Sequence, residues 1–147
     1  MNVELLKRLK EVVEKAKLLE GSHVSYTYPL QEEFHWNKIP DWFDMKRVYV
    51  NTRCGSVGCI IGFGLGLEGV ENPGYGLTAF ANLFEISSDV ALSLCDPGCA
   101  IQSPRPFPEI FKEESYSDIT PQHAAQAIQN VIDGGQTVEE IWKHILK

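Results

Sequence analysis

The chain has 147 residues, 44% apolar and 22% charged, the make-up of one globular domain spanning residues 1–147. Thirteen Lys and Arg against twenty Asp and Glu leave a formal charge of -7, which argues against nucleic acid or anionic lipid held through a basic patch. The longest near-apolar run, Val57 to Leu67, falls far short of the roughly 20 residues that cross a bilayer; with no secretory pattern in the charged first residues, the expectation is a cytoplasmic protein without a membrane span.

In chain order, Leu5, Leu6, Leu9, Val12, Val13, Ala16 and Leu19 recur at spacings of three and four, with Lys7, Lys10, Glu11, Glu14 and Lys17 between them. This pattern predicts an amphipathic helix over residues 3–19, ending near Gly21. Alternation of Val24, Tyr26 and Tyr28 predicts a short strand, and Lys46 to Asn51 a second; their pairing would make a small two-stranded β-ribbon. Between them lies an aromatic-rich loop containing Phe34, His35, Trp36, Trp42 and Phe43. Rings at that density either cover a core or form a binding surface, and these five residues are the candidate partner-binding set.

Residues 54–69 hold glycines at 55, 58, 62, 64, 66 and 69. A buried helix is expected from Val57 to Leu67, and each interior glycine costs it about 1 kcal/mol relative to Ala, so it needs close packing against a neighbour. Asn72-Pro73-Gly74 makes a turn, Leu77 to Leu83 reads as a further helix, and Ser87 caps another that Asp96-Pro97-Gly98 stops. Pro104, Pro106 and Pro108 mark residues 102–118 as a structured loop. Thr120-Pro121 opens an Ala-rich helix running to Gly134-Gly135, and Thr137 to Glu140 forms a capping box for the last helix, which carries Ile141, Trp142, Ile145 and Leu146. The expected fold is mainly α: a single compact domain of five or six short helices with the β-ribbon.

Charge is unevenly placed. Residues 1–53 carry nine Lys and Arg against eight Asp and Glu, whereas residues 54–147 carry four against twelve. No Lys or Arg occurs from Cys54 to Pro104, a stretch that includes Glu68, Glu71, Glu85, Asp89 and Asp96. Such a surface is either a solvated acidic face or one that attracts a basic partner.

Four cysteines fall in two pairs, Cys54 with Cys59 and Cys95 with Cys99. Four thiolates from two turns are one way to hold zinc, but these spacings depart from the usual C-x2-C pairs, so the primary expectation is no metal, no cofactor, and buried thiols acting as small hydrophobes. Cys59 near a helix start is also a candidate nucleophile, with His123 as its base. The glycines resemble a phosphate cradle only loosely, because no Lys-Ser or Lys-Thr follows them.

The order of motifs resembles small uncharacterised proteins of bacteria and their phages. These carry Phe-Asp-Met, then C-G-(T/S)-x-x-C-(I/L)-x-G, a Leu-Phe helix, and Ile-Thr-Pro before an Ala-rich helix. Here the matching residues are Phe43-Asp44-Met45, Cys54 to Gly62, Leu83-Phe84, and Ile119-Thr120-Pro121 leading to Ala124-Ala125, about residues 43–134 in all. The chain departs in having Ser56 where Thr is usual and Phe63 where a bulkier residue is expected. The resemblance implies a compact helical accessory protein and brings no activity with it.

Three functional expectations follow. The leading one is a non-enzymatic accessory protein that binds and modulates another protein through the aromatic loop or the acidic surface. The alternatives are a thiol-dependent hydrolase or transferase using Cys59 and a His, and a small-ligand or nucleotide binder seated among the glycine-rich helices.

Overall fold

A computed structural model describes residues 1–18, 39–43, 49–52, 55–70, 76–97, 119–142 and 145. The described residues are mainly helical, as the patterning predicts. Six helices appear among them: α1 (Val3–Glu14), α2 (Ile60–Leu67), α3 (Gly76–Phe84), α4 (Ser88–Cys95), α5 (Pro121–Ile132) and α6 (Val138–Trp142). None is long and apolar enough to cross a membrane.

Local chemistry accounts for most helix boundaries. Asn2 caps α1, its side chain accepting from the Leu5 N–H at 3.1 Å, and the Ser87 hydroxyl accepts from Val90 N–H at 3.1 Å at the start of α4. Thr120 opens α5 with Pro121 behind it, and its hydroxyl accepts from His123 N–H at 3.1 Å. At α6 the Thr137 hydroxyl accepts from Glu140 N–H at 3.1 Å, while the Glu140 carboxylate accepts from Gln136 N–H at 3.2 Å. The return bond of that capping box therefore lands one residue ahead of the cap.

The β structure goes beyond the expected ribbon. Four short strands, β1 (Lys17–Leu18), β2 (Trp42–Phe43), β3 (Tyr49–Thr52) and β4 (Gly55–Gly58), lie in the order β1-β2-β4-β3. β1 and β2 run parallel, as do β2 and β4, whereas β3 and β4 are antiparallel, with Tyr49 opposite Gly58 and Thr52 opposite Gly55. The run from Lys46 to Asn51 thus contributes Tyr49–Asn51 to a strand whose partner is Gly55–Gly58. Residues 23–28, expected to pair with it, lie outside the described residues, as do the loop at 102–118 and the turn at 72–74.

Two helix expectations change for one reason. Val57 and Gly58, read as the first turn of a helix, belong to β4, and α2 starts only at Ile60. Helix α1 stops at Glu14 instead of continuing to Leu19, because Lys17–Leu18 pairs with Trp42–Phe43. In both places pairing with a strand distant in sequence outweighs local helical preference.

A cluster of buried side chains unites the helices with β2. Helix α2 lies at its centre, with Ile60 to Gly66 buried without interruption. A Cβ built on Gly64 would lie 2.5 Å from Phe80 Cε2 and 2.8 Å from Phe84 Cε2, so glycine is what lets α2 approach α3 this closely. The two rings lie against each other, centroids 4.5 Å apart and planes tilted by 36°. Helix α1 packs along α5, joined by Lys10 to Gln129 at 3.0 Å and by Gln122 to the Glu14 carbonyl at 3.2 Å. Helix α6 is fixed by two bonds: the Trp142 indole N–H donates to the Ser93 carbonyl at 2.9 Å, and the Asn130 amide donates to the Ile141 carbonyl at 2.7 Å.

Candidate functional site

The aromatic loop divides. Phe34, His35 and Trp36 lie outside the described residues. Phe43 is fully buried in β2, its ring 5.8 Å from that of Phe63 and tilted by 55°, so its side chain serves the core rather than presenting a surface to a partner. Trp42, its neighbour on the strand, is half-buried, as alternation along a strand requires.

The cysteines also divide. Cys59 and Cys95 are buried, at 2% and 3% exposure, and neither is in a disulfide. Burial, then the nearby Cys59 and Asp96, push the Cys95 thiol well above its usual range, so at neutral pH it stays protonated. The two thiols, 36 positions apart in sequence, thus come within each other's electrostatic reach. Cys59, the candidate nucleophile, is 2% exposed, whereas a nucleophile needs access to its substrate. Cys54 and Cys99 lie outside the described residues. Among the described residues no group of three His, Cys, Asp or Glu gathers around a point.

His123 has a local role that its pairing with Cys59 as a base did not anticipate. Its Nδ1 accepts from the Thr120 N–H at 3.2 Å while Thr120 caps His123, a reciprocal box in which His stands where Glu or Gln is usual. That bond occupies one ring nitrogen. Helix α5 packs mainly on α1, α6 and α4, which leaves His123 and Cys59 on elements that are not principal neighbours.

The glycine-rich segment is equally committed to structure. Gly62, Gly64 and Gly66 are buried, as are Cys59, Ile60 and Ile61 at the start of α2. An open phosphate cradle needs exposed N–H groups at that end of the helix.

What the structure assembles instead is a groove of about 360 Å3 lined by the α3–α4 junction, the α5–α6 junction and the N-terminal residue. Its apolar wall is Met1, Ile86, Val90 and Val131; its polar rim includes Glu85, Ser87 and Gln136. Two helices end here, α3 at Glu85 and α5 at Asp133, and neither has a basic residue in its last turn. A helix C-terminus carries roughly half a negative charge, so a carboxylate beside it deepens the negative potential instead of cancelling it. The helices that begin here, α4 and α6, have Asp89, and Glu139 with Glu140, in their first turns, which offsets the positive ends. Glu85 and Asp89 are exposed and make no ion pair among the described residues.

Glu85 also stands in the left-handed region, at φ 54°, a conformation disfavoured for a side chain of its type. The groove joins residues from positions 1, 85–90 and 131–136, and no local motif announces it. The one signal in the sequence is the scarcity of cations: no Lys or Arg from 54 to 104, and none again from 113 to 142.

Compared with family models, curated proteins and solved structures, the chain matches none.

Proposed function

We propose that this is a non-enzymatic binding protein of the cytoplasm that engages a partner protein through an acidic helical face. One observation carries the reading: the described stretches 76–97 and 119–142, which build α3 to α6, contain six carboxylates and no Lys or Arg. The paired cations of the described residues, Lys7 and Arg8, lie on α1, where they meet Glu4 and Glu68. A face of one sign steers and selects an oppositely charged protein surface. Buried, unbridged Cys59 and Cys95 suit a reducing compartment. An accessory role, in which the chain modulates the protein it binds, is part of the same proposal.

The test compares the wild-type chain with a variant neutralised at Glu85→Gln, Asp89→Asn, Asp133→Asn and Glu140→Gln in quantitative capture from host extract at physiological salt. A partner retained by the wild type and lost on neutralisation is expected. Equal capture by both chains, or none by either, would overturn the reading.

A further inference from the structure

We propose that the groove between the α3–α4 and α5–α6 junctions seats a bulky apolar side chain of a partner segment whose flanking Lys or Arg residues meet Glu85 and Asp89. This inference rests on the acidic-face reading and adds to it a place and a recognition chemistry. At about 360 Å3 the groove is at the small end of ligand sites, suited to one or two side chains and not to a large cofactor. Met1, 53% exposed, and the half-buried Ile86 and Val90 offer apolar surface to an incoming group. Glu85 lines that surface, Asp89 precedes the lining residue Val90 in α4, and two helix C-termini adjoin it, so an apolar group arriving alone would leave this negative charge unmatched, and one flanked by cations would neutralise it.

The occupant therefore has a definite pattern: an apolar anchor between basic residues. An anionic ligand is disfavoured by the same field. Glu85 is the left-handed cap residue that ends α3, with Ile86 N–H donating to the Ala81 carbonyl at 3.0 Å, and a carboxylate there adds to the negative end of the helix.

The experiment uses the full chain and a set of fluorescent hexapeptides in which two lysines on each side flank a central pair drawn from Leu, Phe, Trp and Met. Anisotropy titrations are compared with the same peptides carrying a Ser-Ser centre or glutamates in place of the lysines. At least one apolar-centred peptide should bind about tenfold more tightly than the Ser-Ser peptide, as expected for a seated anchor residue. Val90→Ser should weaken it about threefold or more. Glu85→Gln, at an exposed position that leaves the core untouched, should weaken it and reduce its salt dependence.

If the Ser-Ser peptide binds as tightly as every apolar-centred one, the groove inference is overturned and the acidic-face reading stands. Equal binding of the glutamate-flanked peptides would remove the charge part of both. No binding by any peptide would overturn the groove as a seat, while capture of a partner by the wild type alone would still support the acidic face.

Discussion

Phe84 and Glu85 are adjacent in the chain and opposite in environment. Phe84 is fully buried, its ring against Phe80 and near Gly64, and its carbonyl accepts from Asn2 N–H at 2.9 Å. Glu85 is exposed, left-handed and at the mouth of the groove. On the Phe84 side every local choice serves packing: a glycine placed where two rings would strike a Cβ, a helix accepting propensity loss in exchange for close approach. On the Glu85 side local choices conflict with stability, through backbone strain and a charge at the unfavourable end of a helix. The left-handed turn itself is a helix cap, closed by Ile86 N–H on the Ala81 carbonyl at 3.0 Å; the acidic residue placed in it is what local preference does not explain.

The contrast can be broken first at Gly64. Gly64→Ala improves helix propensity by about 1 kcal/mol, yet the added methyl meets the Phe80 and Phe84 rings, themselves fully buried, so one of them must shift. Overpacking of this kind should win, with a net loss of about 1–3 kcal/mol in urea unfolding. A neutral or stabilising result would show that α2 and α3 separate easily and that the close approach is not needed.

A second test lies in the buried thiol. The unfolded chain releases the Cys95 proton near its usual pKa of about 8.5, whereas the folded chain holds it to higher pH. Because the folded pKa is the raised one, the contribution to stability is fully present below the unfolded pKa and is lost as pH rises from there through the folded value. The loss runs at up to ~1.4 kcal/mol per pH unit for one proton. Urea midpoints of the wild type measured from pH 8 to 10 should therefore fall more steeply than those of Cys95→Ala. Parallel slopes would remove the thiol as the cause.

The smallest effect is expected on the other side of the contrast. Glu85→Gly relieves the left-handed strain and should stabilise the fold by about 0.5–1 kcal/mol. The same substitution should weaken binding of the lysine-flanked peptides. A variant that became more stable and bound equally well would leave the unfavourable placement of Glu85 without a functional reason.

What could be read in the chain beforehand follows the range of the forces involved. The Ser87 and Thr120 caps were legible because a cap is settled within three residues. The glycines of α2 pointed to close packing against a neighbour, and Gly64 meets Phe80 and Phe84. β4 was not legible, because Gly55–Gly58 becomes a strand only by pairing with Tyr49–Thr52 on one side and Trp42–Phe43 on the other. Phe43 drew attention as one of a dense set of rings, but density along the chain does not distinguish a ring pressed on Phe63 from one facing solvent. His123 drew attention as a catalytic base because its residue type suggests chemistry; its bond to Thr120 N–H shows a residue doing the work of a capping Glu. The groove left only its charge signature in the sequence.

The chain alone therefore determined the mainly helical class, the capped starts of α4, α5 and α6 and the concentration of negative charge after Arg53, since each follows from propensity, capping or composition. Tertiary structure decided where α1 and α2 begin or end, that Cys59 and Cys95 share one buried neighbourhood, and that Glu85, Val90, Val131 and Gln136 border one groove. Those outcomes depend on contacts between residues tens of positions apart. Strand pairing, desolvation and the summed field of several helix ends act through space, and only the folded chain sets the distances on which they depend.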